Sequence, residues 1–334
     1  MSQVSDGPTS RALTRRELAR LITRIENGEP GAQTALDALY AQSGRARVIG
    51  ITGAPGSGKS TLVAELSRAM RAKANPPRLG IIAVDPSSPF SGGAILGDRI
   101  RMHDLFGDPG VFIRSMASRG ALGGIAAATA DVVTALDASG FEVIIIETVG
   151  SGQLEVDVAS IAETVIVVEA PGAGDDVQAA KAGILEIADI VVVNKADREG
   201  VAQTVSALRS ALDLAAPAHH HVGHHGAPGA AAHKAVLPWQ TPIVKVSAIN
   251  REGIDDLLAA LDQHAQYLAD SGEGKWRTRR RLDADIQSRL REMLLERAFR
   301  NIPREEYEKL LAASLQRQLH PAEAARKLLK SLEQ

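Results

Sequence analysis

The sequence predicts an α/β protein with a doubly wound, mostly parallel sheet. Three observations carry that prediction. Short aliphatic runs without polar alternation recur at 48–51, 80–84, 111–114, 143–147, 164–168, 190–193 and 242–246. Such runs suit strands covered on both faces, the usual state of a parallel sheet. Stretches of helical character separate them, near 120–139, 174–188, 199–213 and 251–270, and this alternation is how parallel sheets are built. Polar or glycine-rich segments follow most of the runs, where open α/β sheets place their ligands.

Composition bounds the rest. At 334 residues with 45% hydrophobic content, the chain can build one large core with added elements. Only 3% of residues are aromatic, so that core is aliphatic. A formal net charge of −2 gives no global attraction to nucleic acid or to a membrane. The absence of cysteine excludes disulfides, thiolate metal sites and cysteine nucleophiles. No apolar run reaches the 18 residues of a membrane span. The first residues lack the apolar core of a secretory signal, and Asp6 and Glu17 argue against a transit peptide, so a cytoplasmic location is expected.

Taken in order, the chain divides into an N-terminal helical arm (1–46), a nucleotide-binding core (47–268) and a C-terminal helical region (269–334). In the arm, Thr14 and Glu17 form a capping box. Leu18, Leu21, Ile22 and Ile25 follow at helical spacing, Gly28 ends that helix, and a second covers 31–41.

The core opens on strand 48–51, then Gly53-Ala54-Pro55-Gly56-Ser57-Gly58-Lys59-Ser60, then a helix from Thr61. Strand, G-x-x-x-x-G-K-[ST] and helix in that order specify a phosphate-binding P-loop. Backbone amides and the helix N-terminus attract phosphate oxygens. Lys59 is expected to reach the β and γ phosphates, and the Ser60 hydroxyl to bind Mg²⁺. Asp85, at the end of the next strand, is placed to bind Mg²⁺ directly or through water. The glycine-rich segment after it carries Asp98 and Arg99 and suits a switch ordered by γ-phosphate and Mg²⁺.

Residues 143–147 end in Glu147, like a Walker B strand, and Gly150 falls three residues later as in the D-x-x-G of GTPases. Gln153 lies three residues beyond Gly150 rather than beside it, so it is not assigned to orient the attacking water. Asn194-Lys195-Ala196-Asp197 gives N-K-x-D at a strand end. An aspartate there accepts from guanine N1–H and the 2-amino group, donors that adenine does not match. Ser247-Ala248-Ile249 follows the last strand and resembles the element whose backbone meets guanine O6.

Six of the nine histidines (His219, His220, His221, His224, His225 and His233) lie in one insert, a composition that binds Zn²⁺ or Ni²⁺ or simply makes a polar loop. From Lys275 onward, 15 Lys and Arg face 9 Asp and Glu. Without interleaved aromatics, that excess reads as a solvated or partner surface rather than a nucleic-acid site. Ile286, Leu290, Met293 and Leu294 share a helical face. Pro303 breaks that helix, and two further helices carry Leu310, Leu311 and Leu315, then Leu328, Leu329 and Leu332.

GAPGSGKST, VDPSSPFSGGAILGDRIRM, ETVGSGQLEVD, PGAGDDVQAAKAGILEIADI and VVNKAD together resemble the MeaB/ArgK group of GTPases. These are chaperones of B12-dependent acyl-CoA mutases, within a wider class of dimerising P-loop GTPases that includes nickel-insertion chaperones. The resemblance covers about residues 10–300. It implies that Gly53 to Thr61 cradle the phosphates of GTP or GDP. It also implies that Ser60, Asp85, Asp98 and Glu147 surround Mg²⁺, and that Lys59, Asp98, Glu147 and Gly150 serve hydrolysis. Asn194, Lys195 and Asp197 would read guanine beside Ser247, Ala248 and Ile249. Asp175, Gln178 and Lys181 fall in the family's extra switch loop, and the C-terminal helices in its homodimerisation region. The implied activity is slow GTP hydrolysis that a mutase accelerates while adenosylcobalamin is loaded. Two other readings stay open on the residues: a nickel- or zinc-delivering GTPase, from the histidines, and a small-molecule kinase, against which N-K-x-D argues.

Overall fold

The computed structural model describes residues 13–86, 104–118, 124–148, 158–172, 183–222 and 237–332, with side chains except at 85–86, 117–118, 124–126 and 215–222. In chain order the elements are α1 (Arg15–Glu26), α2 (Ala32–Tyr40), β1 (Arg47–Gly53), α3 (Lys59–Arg71), β2 (Leu79–Pro86), β3 (Val111–Ser118), α4 (Gly124–Ala138), β4 (Val143–Thr148), β5 (Thr164–Glu169) and β6 (Ile190–Val193). There follow α5 (Val201–Val222), β7 (Ile243–Lys245), α6 (Ile254–Ser271), α7 (Glu273–Asn301), α8 (Arg304–Leu315) and α9 (Pro321–Ser331).

The seven strands form one sheet in the order β3-β2-β4-β1-β5-β6-β7. Every pairing between them is parallel. All residues of β5 and β6 are buried, as their unbroken aliphatic runs require. Side chains alternate between two apolar layers. One holds Ile144, Ile146, Val165 and Val167 beneath α1, α2, α4 and α5. The other holds Ile49, Ile51, Ile145, Ile166 and Val168 beneath α3 and α6. The sheet is thus the middle of three layers, and β1 sits at its centre.

The N-terminal helices share this core. Glu17 N donates to Thr14 Oγ1 at 3.3 Å and Thr14 N returns the bond to Glu17 Oε2 at 2.8 Å. The cap sets α1 so that Leu18, Leu21 and Ile22 are buried against the sheet layer. The helix expected over 199–213 extends to Val222, taking in His219, His220 and His221. Leu214, Ala215 and Ala216 favour continuation, and the helix runs on through Pro217, whose missing N–H costs it one hydrogen bond, before Gly223. His224, His225 and His233 lie outside the described residues. Among the described residues, no helix is long and apolar enough to cross a membrane.

A polar cluster anchors the amino end of β6. Asp189, immediately before the strand, accepts from Val165 N at 2.8 Å and from the Arg277 guanidinium at 2.9 Å. His264 Nε2 lies 3.3 Å from the same carboxylate, and His264 Nδ1 is 2.9 Å from Thr164 Oγ1. The Trp239 indole donates to Asp189 O at 2.8 Å and its ring packs 4.8 Å from the imidazole. Burial pushes the Asp189 carboxyl up. The His264 contact and the Arg277 charge outweigh it and leave the group below the ordinary carboxylate range.

The chain forms two compact units that meet between Thr278 and Arg279, inside α7. The second unit, from Arg279, is all helical. Asn301 ends α7 two residues before Pro303, and Pro321 opens α9 behind the N-cap His320. Phe299 and Tyr307 meet edge to face at 5.7 Å. No residue of α7 is buried, and Ile286, Leu290, Met293 and Leu294 are all exposed.

Replacing Arg277 with alanine leaves a buried carboxylate without its cationic partner. We expect Arg277→Ala to cost about 3 kcal/mol of stability at neutral pH, read by urea denaturation. Because the folded carboxyl is held low, its contribution is complete above the unfolded value of about 4 and is lost as pH falls through the folded value. The gap between variant and wild type should therefore close in acid. A gap that stays constant down to pH 3 would refute this account.

Candidate nucleotide-binding site

The site lies at the carboxyl edge of the sheet, where β1, β4, β5, β6 and β7 end side by side. β1 enters the P-loop at Gly53, whose φ is +136°. A Cβ there would run into the carbonyl of Val168 on β5, so only glycine permits the backbone to pass this close. The loop closes on Gly58, at φ +91°, which caps α3. A Cβ on Gly58 would collide with the amide of Asn194.

Lys59 is buried at the start of α3, and its ammonium donates to Gly53 O at 2.9 Å and Ala54 O at 3.0 Å. Ser60 donates its hydroxyl to Glu147 Oε1 at 2.6 Å, and Glu147 is buried at the carboxyl end of β4. Hydroxyl and carboxylate are both hard oxygen donors, buried within one hydrogen bond of each other and one residue from the lysine. That is the donor set Mg²⁺ takes beside a phosphate chain, so these residues fit the ion. Ser57 Oγ, inside the loop, is buried with no hydrogen-bond partner among the described residues. A buried hydroxyl in that state suits an arriving phosphate oxygen.

The loops after β6 and β7 are tied to the P-loop by Asn194. Its Nδ2 donates to Ser57 O at 2.8 Å, and its Oδ1 accepts from Ala248 N at 3.2 Å. Lys195 takes the left-handed conformation at φ +58°, which lays its stem along the loop, and Nζ donates to Gly56 O at 2.7 Å. Asp197 is exposed beyond them and accepts from the Ser247 hydroxyl at 2.5 Å. That bond holds the Asp197 carboxyl below the ordinary range, so it stays an ionised acceptor at neutral pH. The loop behind is closed by paired backbone hydrogen bonds between Ser247 and Glu252, both 3.1 Å. Ser247 and Ala248 are buried, whereas Ile249 projects into solvent with 74% exposure.

The structure therefore brings Lys59, Ser60, Glu147, Asn194, Lys195, Asp197, Ser247 and Ala248 into one region. Asp85 is the last residue but one of β2, beside Ala117 of β3, without a described side chain. Asp98, Gly150, Gln153, Asp175, Gln178 and Lys181 lie outside the described residues. Three buried polar groups at the same edge escaped the sequence reading. Thr148 donates its hydroxyl to Thr52 Oγ1 at 2.9 Å across β4 and β1, and Glu169 ends β5, fully enclosed. A visible signal pointed to Glu169: its run, TVIVVE, ends in a carboxylate as does VIIIE before Thr148.

The family model described as methylmalonyl Co-A mutase-associated GTPase MeaB matches residues 18–302. A protein of Pyrococcus abyssi is 43% identical over 318 residues, covering 95% of this chain and 93% of its own. The mouse protein named methylmalonic aciduria type A homolog, mitochondrial, is 32% identical over 225 residues, covering 67% of this chain and 50% of its own. Among solved structures, a crystal structure of LAO/AO transport system kinase superposes with a TM-score of 0.66 at 25% identity, covering 96% of this chain and 94% of that one. The chain belongs to the MeaB family of GTPases.

Because Asn194 spans both halves of the site, Asn194→Ala should weaken GTP and GDP alike. About 2 kcal/mol, or some 30-fold in Kd, is expected by isothermal titration. A loss confined to GTP would show that the asparagine does not act through the shared scaffold.

Proposed function

We propose that this GTPase is a switch that gates adenosylcobalamin loading onto a B12-dependent acyl-CoA mutase, of the methylmalonyl-CoA type, and protects the loaded enzyme. The match of the mutase-associated family model to residues 18–302 carries this reading. The name of the mouse relative supports it.

In this reading, amides of the loop from Gly53 to Thr61 hold the phosphates, and the Lys59 ammonium turns from its carbonyl partners towards the β and γ oxygens. Ser60 and Glu147 would hold Mg²⁺, with Asp85 and Asp98 as further oxygen donors. The ion would supply neutralisation of the charge that builds on the phosphates. Asp197, kept ionised by Ser247, accepts from guanine N1–H and the 2-amino group. Ala248 and Ile249 lie beside the base. Gly150, from its place in the motif, would offer its backbone N–H to the γ-phosphate. The sequence carries no evident arginine finger and no glutamine beside Gly150, and the mutase would complete the arrangement. Asp175, Gln178 and Lys181 would carry nucleotide state to it. A homodimer would cover the exposed apolar face of α7 at Ile286, Leu290, Met293 and Leu294.

Hydrolysis should be slow alone, rise several-fold with the partner mutase, and vanish in Lys59→Ala. Phosphate release with and without candidate acyl-CoA mutases measures this. No stimulation by any of them, with Ni²⁺ or Zn²⁺ changing the rate instead, would favour metal delivery. Exchanging Asp197 for asparagine replaces an acceptor with a donor. Asp197→Asn should lose about 100-fold in GTP affinity and gain for xanthosine triphosphate, whose 2-oxo group accepts. Unchanged GTP affinity would remove Asp197 from the base site.

A further inference from the structure

The outer face of α1 carries a feature that nucleotide binding leaves unexplained. Arg16, Arg20 and Arg24 recur at every fourth position, on the side of the helix opposite Leu18, Leu21 and Ile22. With Ala19, Thr23 and Arg114 of the edge strand β3 they line an open groove of about 540 Å³. None of the described lining residues is acidic.

The internal pairing of these guanidinium groups is incomplete. Arg114 pairs with Glu26 and also donates to Thr23 Oγ1 at 3.2 Å. Arg24 lies 4.0 Å from Glu29 and donates to Pro30 O at 3.1 Å. Glu17 is engaged by the Thr14 cap. Arg15 leaves the row to lie over the Phe112 ring. No carboxylate among the described residues pairs with Arg16 or Arg20, and both are exposed. Like charges at i, i+4 cost a helix about 0.2–0.5 kcal/mol per pair, so local stability does not account for the row.

We infer that this groove is a docking site for an acidic helix of a partner protein. From Arg16 to Arg24 the row spans about 12 Å, the rise of eight helical residues, so Glu or Asp at every fourth position of an opposing helix would match it in register. The alkyl stems and Ala19 give the floor an apolar character that suits a peptide backbone and side chains. Nucleic acid fits less well. Among the described residues the lining holds no aromatic ring on which a base could stack, and the chain's net charge of −2 provides no wider field for a polyanion. The inference stands apart from the mutase reading and does not depend on it.

Fluorescence anisotropy on the full chain tests it, with a labelled alanine-based helical peptide carrying glutamate at every fourth position as the probe. Salt-sensitive binding is expected. It should fall about tenfold or more in the double variant Arg16→Glu/Arg20→Glu and disappear for a peptide with glutamine in place of glutamate. GTP hydrolysis and melting temperature should be unchanged in that variant, which separates this result from misfolding and from the nucleotide site. Equal binding by wild type and variant, or no binding by either, would overturn the proposal. So would tighter binding of single-stranded oligonucleotide through the same arginines.

Discussion

The amide of Asn194 holds the site together. One end donates into the carbonyl of Ser57 in the P-loop, and the other accepts from the backbone of Ala248 in the loop after β7. Both contacts are buried, so each is costly to leave unmade. Gly58 has no side chain because that amide occupies the space. Two loops, 137 and 54 residues away from Asn194 in sequence, thereby become one surface. Asp197, Lys195 and Ser247 are then positioned by short local bonds on a frame already fixed.

That frame exists because the sheet is parallel and wound in both directions. Strands that all run the same way end at the same edge, and β1, at the centre, delivers the P-loop between β4 and β5. Much of this was legible in the sequence. Unbroken aliphatic runs such as VIIIE and IVVV cannot face water on either side, and G-x-x-x-x-G-K-S and N-K-x-D each declare their chemistry over a few residues. The pairing of Ser60 with Glu147 followed from where their elements end. Strand order did not, because continuous apolar runs carry no mark of their neighbours.

The cluster at the opposite edge could not be read in advance. Asp189 has partners 24 and 88 residues away, at Val165 and Arg277. In the sequence, Asp189 looks like an ordinary acidic residue before a strand, and His264 like one polar position on an amphipathic helix. Their significance lies in burial, which only the packing of α6 against β5 and β6 creates. Glu169 makes the complementary point. Its position was visible, but no motif named it, and a lone carboxylate ending an apolar run has several ordinary explanations.

β6 joins the two edges. It is four residues long, buried throughout, and hydrogen-bonded to β5 on one side and β7 on the other. Such a strand cannot slide by a fraction of a residue, and a full step would reverse its inward and outward faces. Asp189 precedes it and Asn194 follows it, so the residue that fixes the amino end also fixes where the loop carrying Asn194 begins. The charged anchor stands where the sheet needs a unique register, and the neutral amide stands where two loops must meet. A buried carboxylate gives a steep response to losing its partner, which suits an anchor. An amide both donates and accepts, which suits a bridge between one carbonyl and one N–H. Exchanging the two side chains would satisfy neither place.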